Sequence, residues 1–139
     1  MVNQPLIKTK IAHIYKSIEK LSRKSDISLK DFKANTDAQD IVVHNLQLAI
    51  QGTIDIASHI ISDEGWGVPN TLAGLYDILD EHKVIDEKLA GTMKRMVGFR
   101  NIIIHEYDVI DLDKVHQILT SGLGDFNDFL KQITKFAKL

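Results

Sequence analysis

Apolar residues recur at helical spacing from one end of the chain to the other. Ile7, Ile11, Ile14, Ile18 and Leu21 step by 4, 3, 4 and 3, which predicts a first helix whose opposite face carries Lys and Arg. The Ser25–Ser28 stretch reads as the turn that ends it. The second predicted helix, from about Asp37 to Ile61, is defined by its polar residues. Asp40, His44, Gln47, Gln51, Asp55, Ser58 and Ser62 fall along one narrow line, and the rest of its girth is largely Ile, Val, Leu and Ala. Such a helix packs on two sides, and at 1.5 Å per residue it would run ~37 Å as the spine of a bundle. Its polar line reads as a solvated stripe or, alternatively, as one wall of a cleft.

Gly65-Trp66-Gly67-Val68-Pro69-Asn70 interrupts the pattern as a loop anchored by Trp66. Asn70 or Thr71 then caps a third helix burying Leu72, Leu75, Tyr76 and Leu79. Asp86 caps a fourth, whose inward stripe is Leu89, Met93 and Met96, and the next member at spacing four is Arg100. A guanidinium on a buried stripe has to find a partner or face a cleft, because leaving it dry and unpaired is prohibitive. Asp111 or Asp113 caps a fifth helix, in which Val115, Ile118, Phe126, Phe129, Ile133 and Phe136 hold phase with Gly122 and Gly124 as close-approach positions. No segment sustains period-2 alternation. The expectation is an all-α bundle of five helices in a single domain spanning residues 1–139.

Composition narrows the chemistry. The chain has no cysteine, which removes thiolate nucleophiles, disulfides and Cys-based zinc sites. No apolar leader or membrane-length segment is written in it, so a cytoplasmic location is expected, with no membrane partner. A net charge of −2 argues against coating nucleic acid by bulk electrostatics. The distribution is uneven, with net +5 over residues 1–33 and net −8 over residues 34–92. This reads as two solvated faces or, more sharply, as a basic rim for polyanion and an acidic surface for a partner. No phosphate-cradling glycine loop and no HExxH spacing is present, so neither cofactor nor metal is expected.

Chemistry concentrates in Arg100–Asp108, RNIIIHEYD. On an unbroken helix Arg100 and Tyr107 would share a face, whereas His105 would lie about 140° from Arg100. Three consecutive β-branched residues, Ile102-Ile103-Ile104, are indifferent helix formers, so a break within 101–106 is expected to swing His105 back toward Arg100. Arg plus His, without metal or thiol, suits cleavage of a phosphodiester by its own 2′-hydroxyl. An imidazole with pKa near 6.5 serves as acid or base close to neutral pH, and a guanidinium fork stabilises charge on the non-bridging oxygens. RNA supplies the nucleophile; DNA lacks it. Taken singly, the same residues also fit a structural histidine and an arginine pairing an acid across the bundle. The other histidines read as surface residues at His13, His59 and His82, with His44 on the polar line and His116 within reach of His105.

Arg100-Asn101-Ile102-Ile103-Ile104-His105-Glu106-Tyr107 resembles the R-x4-H-x-Y signature of HEPN-domain ribonuclease toxins of the HepT type. The basic first helix, the polar-lined spine, the Gly65–Pro69 loop and the MVGFRN approach extend the likeness over essentially the whole chain. The resemblance implies a HEPN fold and a homodimer whose Arg/His pairs line a shared cleft. It also implies metal-independent endoribonuclease activity leaving a 2′,3′-cyclic phosphate. By position, Arg100 and His105 would be catalytic and Asn101 would fill the polar slot after the arginine. Tyr107 would be the tyrosine that a cognate MNT-type nucleotidyltransferase antitoxin modifies with AMP. The competing expectation is a catalytically silent helical module that binds a nucleotide or such a nucleotidyltransferase.

Overall fold

The computed structural model describes residues 2–139, and these form seven α-helices and one 3-10 turn with no β-strand. Helix α1 (Gln4–Ser22) starts where Asn3 Oδ1 accepts the Leu6 N–H, with Pro5 in the first turn, and it buries Ile7, Ile14, Ile18 and Leu21. A short α2 (Leu29–Ala34) is capped by Ser28 and inserts Phe32 into the core. Asn35 then caps α3 (Thr36–Glu64), whose 29 residues span roughly 44 Å at 1.5 Å per residue. Gly65 ends α3 in the left-handed region at φ 69°, a conformation that glycine adopts without Cβ strain.

The remaining elements wrap this spine. They are α4 (Gly74–Glu81), α5 (Glu87–His105), a 3-10 turn (Tyr107–Val109), α6 (Leu112–Ser121) and α7 (Leu123–Ala137). Val42, Leu46, Ala49, Ile56 and Ile60 of α3 are all fully buried, as a central helix requires. Helix α1 runs along α3 so closely that a Cβ on Gly52 would overlap the Ile14 side chain. Trp66 anchors the loop after α3 by stacking on His82, with ring centroids 3.9 Å apart. None of the helices among the described residues is long and apolar enough to cross a membrane.

The all-α expectation holds, and the helix count changes from five to seven. Helix α2 is only six residues long, too short to show a stripe, and its signal is the Ser28 cap plus one buried phenylalanine. The predicted fifth helix is split at Gly122. There the amide donates to the Ile118 carbonyl at 2.8 Å, and a Cβ would stand 3.0 Å from that same carbonyl oxygen. Gly122 is therefore a close approach that also ends a helix, whereas a Cβ at Gly124 would meet nothing within 4 Å. Thr71 Oγ1 accepts the Gly74 N–H at 3.1 Å as predicted for a cap, but α4 begins at Gly74, which leaves Leu72 in the turn and exposed. Asp86 and Asp111 cap α5 and α6.

Candidate functional site

Residues 100–107 lie at the C-terminal end of α5 and in the turn after it. Helix α5 begins at its Asp86 cap and buries Leu89, Met93, Met96 and Ile103, which fixes the direction of everything that follows. Arg100 continues that stripe and is half-buried, as its spacing predicts. Its Nη2 donates to Gln51 Oε1 on α3 at 2.5 Å, and its Nη1 makes a longer contact with Asn101 Oδ1 at 3.3 Å. The Nε is buried without a hydrogen-bond partner, and Arg100 forms no salt bridge among the described residues. A guanidinium carries five N–H donors, so one on each terminal nitrogen stays uncommitted. Those two donors match the paired oxygens of a phosphodiester.

The surroundings keep this charge uncompensated. Gln51 Nε2 donates to Asp55 Oδ1 at 2.9 Å, and Asp55 Oδ2 in turn accepts from Lys10 Nζ of α1 at 3.4 Å. In the core, the Tyr76 hydroxyl lies 2.7 Å from Thr53 Oγ1, which itself donates to the Ile50 carbonyl at 2.8 Å, so the phenol is the donor. Burial pushes the Tyr76 phenol well above its ordinary pKa despite the nearby Arg100 charge. Tyr76 thus stays neutral and cannot serve as an anionic partner for the guanidinium.

The break expected within 101–106 falls at the far end of that window, where α5 stops at His105 and Glu106 leaves helical geometry. Helix α5 does not break within the isoleucine run. It stays helical through His105 and ends where the Glu106 N–H donates to the Ile102 carbonyl at 2.8 Å. Burial of Ile103 against the core holds the last turn in place, outweighing the weak helix preference of β-branched residues. His105 therefore points about 140° away from Arg100 around the helix axis. It is exposed and makes no hydrogen bond among the described residues. Within one chain no hydrogen bond joins the two side chains among the described residues.

Tyr107 opens the 3-10 turn and is 54 % exposed. Its hydroxyl donates to Asp40 Oδ1 on α3 at 3.1 Å, and this hydrogen bond to a carboxylate raises the phenol pKa above its ordinary value. Asn101 is exposed beside Arg100. Gln51 and Asp40 lie on the line that the sequence leaves open between a solvated stripe and one wall of a cleft. Both belong to the polar line of α3, and the structure turns part of that line toward α5 and its turn. The signal was available: a polar line on an otherwise buried helix marks where its neighbours are polar too.

The other histidines fall outside this constellation. His13 and His44 are exposed and His59 is half-buried. His116 Nε2 donates to the Ile27 carbonyl at 2.7 Å and packs on Phe32, so it tethers the segment before α2 instead of approaching His105. A groove of about 360 Å³ between α1 and α3 is lined by Lys10, His13, Lys16, Lys20, Leu48 and Gln51, among others. Its polar end thus touches the residue that holds Arg100. No cluster of three or more His, Asp or Glu able to hold a metal occurs among the described residues.

Residues 12–133 match the family model described as "Ribonuclease HepT-like". The chain is 33% identical over 128 residues to the mRNA nuclease HepT of Shewanella oneidensis, covering 92% of this chain and 96% of that one. It is 29% identical over 131 residues to the tRNA nuclease HepT of Aphanizomenon flos-aquae, covering 94% and 89%. Among solved structures it is similar to the tri-AMPylated Shewanella oneidensis HEPN toxin in complex with MNT antitoxin. That match has a TM-score of 0.85 and 32% identity, covering 93% of this chain and 96% of that one. The helical frame, the half-buried arginine at the end of α5 and these matches agree: the chain belongs to the ribonuclease HepT-like family.

Proposed function

We propose that this chain is the RNA-cleaving toxin of a HEPN/MNT toxin–antitoxin pair. In this reading it is a metal-independent endoribonuclease acting as a homodimer in the cytoplasm. A cognate MNT-type nucleotidyltransferase antitoxin silences it by transferring AMP to Tyr107. The observation that carries the reading is Arg100. It is a half-buried guanidinium with no carboxylate partner among the described residues and two free donors, at the same helix end as an exposed, unpartnered His105. A structural arginine would be paired with an acid, and this one is paired with a neutral amide.

His105 accepts the proton of the ribose 2′-hydroxyl while the 2′-oxygen bonds to phosphorus. The bond from phosphorus to the 5′-oxygen breaks, that oxygen takes up a proton, and a 2′,3′-cyclic phosphate remains. Arg100 holds the two non-bridging oxygens as charge builds on them. Asn101 supports the fork from beside it. Because Arg100 and His105 diverge on α5, a second copy brings the missing partner. Exposed Ile41 and Leu48 on α3 and Ile104 on α5, at 42%, 46% and 39% exposure, supply apolar surface for that contact.

The test is incubation of the pure protein with total RNA in EDTA, beside Arg100→Ala and His105→Ala. Cleavage by the native chain and its loss in both variants is expected. RNA left intact at high protein concentration would remove the nuclease reading and leave a silent binding module. For the modification, co-expression with the nucleotidyltransferase should add AMP mass to the peptide containing Tyr107, and Tyr107→Phe should abolish it while cleavage persists.

A further inference from the structure

We infer that Gln51 is a positioning residue for Arg100, and that Asp55 and Lys10 set the orientation and the charge that this task needs. The inference rests on the Arg100-centred nuclease reading and extends it to three side chains that nothing in the motif specifies.

An amide side chain offers an oxygen at one end and an NH2 at the other, and either could face Arg100 if nothing fixed it. Here Asp55 fixes it. The carboxylate accepts from Gln51 Nε2 at 2.9 Å, so Oε1 is turned toward Arg100 Nη2, where it accepts at 2.5 Å. Only the oxygen end suits a guanidinium, which donates and never accepts. Gln51 and Asp55 are four residues apart on α3, one turn of the helix, so the arrangement is built into a rigid element and not a loop.

The identity of the side chain matters as much as its direction. A glutamate at position 51 would reach as far and bind more tightly, but it would cancel the positive charge that a transition-state phosphorane needs. Glutamine locks the fork and leaves the charge intact. Asp55, the nearest acid in this series of hydrogen bonds, is itself paired with Lys10 Nζ at 3.4 Å, so its charge is spent on α1. The buried, unpartnered Nε of Arg100 points to the same dependence, since one side of the guanidinium is inaccessible and the fork relies on its terminal nitrogens.

The experiment compares the native chain with Gln51→Leu, Gln51→Glu and Arg100→Ala in single-turnover RNA cleavage, alongside thermal melting. Gln51→Leu is expected to lower the saturating single-turnover cleavage rate constant about 10²-fold with the half-saturating protein concentration changed far less, the scale reached when a catalytic group is misplaced by about 1 Å. Gln51→Glu is expected to keep the contact with Arg100, now as an ion pair, and yet to cleave about as poorly. Nitrogen-15 NMR of the Arg100 side chain gives a readout independent of turnover. Resolved, slowly rotating Nη signals in the native chain should average in Gln51→Leu and persist in Gln51→Glu. Native cleavage rates in either variant, or rates that fall only in step with lowered melting temperature, would overturn the inference. Averaged Nη signals already present in the native chain would also overturn it. Native-level cleavage by Arg100→Ala would instead sink the nuclease reading, and the NMR comparison would still decide whether Gln51 orients the side chain.

Discussion

Tyr107 and Asp40 form a bond that a single chemical change would undo. The phenol donates to Asp40, whose carboxylate raises the phenol pKa above about 10, the ordinary value for tyrosine. The sign follows: the hydrogen bond is complete below the ordinary phenol pKa and disappears as pH rises through the raised folded value. Ultraviolet titration of phenolate is expected to show a late-ionising tyrosine in addition to buried Tyr76 in the native chain, and that second group should ionise earlier in Asp40→Asn, with the difference absent in a Tyr107→Phe background. An unchanged titration in Asp40→Asn would refute the link. An AMP group on the phenolic oxygen would remove the donor and set a phosphodiester anion against the Asp40 carboxylate. Modification at Tyr107 would therefore be expected to displace the 3-10 turn as well as block the approach to Arg100.

At the scale of elements, α1 and α3 do most of the positioning. Gly52 lets them approach, and Gly52→Ala is expected to cost about 1–3 kcal/mol of stability, the usual penalty for overpacking, because its methyl would overlap Ile14. A denaturant melt unchanged by the substitution would contradict that. The groove they form carries Lys16 and Lys20 on the α1 side. Charge reversal at both is expected to weaken RNA binding and to flatten its salt dependence, by about one unit of slope for each phosphate that is no longer neutralised. Equal slopes for native and variant chains, measured in a His105→Ala background, would assign these lysines to solvent. Much of this was legible in the sequence, because a buried stripe is a periodic signal: Leu89, Met93, Met96 and Arg100 announced both α5 and its odd member. What stayed hidden was non-periodic or tertiary. Six residues of α2 are too few to show a period, and the continuation of α5 through three isoleucines depends on Ile103 finding the core. The pairing of Gln51 with Arg100 needs α3 and α5 to be brought side by side, which spacing along one helix does not encode.

The whole molecule leaves its chemistry divided. Arg100 is fixed from within the chain by Gln51, whereas His105 stands exposed on another face of the same helix with nothing to hold it. Helix α5 continues through His105, so the two residues leave the helix on different faces. Assembly of two copies about a two-fold axis would unite them by setting the arginine of one against the histidine of the other. If each site is shared in this way, Arg100→Ala and His105→Ala chains, inactive alone, should complement when mixed and allowed to exchange. Every heterodimer would hold one intact pair and one doubly damaged pair, so random reassortment restores roughly a quarter of native activity. If both groups act within one chain, every heterodimer is dead and mixing restores nothing. Apolar exposure at Ile41, Leu48 and Ile104 gives the same hypothesis a second handle. Ile41→Glu, outside the lysine-lined groove, should shift the sedimentation profile toward monomer and abolish cleavage together, while leaving the helical fold and the Gln51–Arg100 hydrogen bond in place. Full activity from an Ile41→Glu monomer would place the complete site inside a single chain.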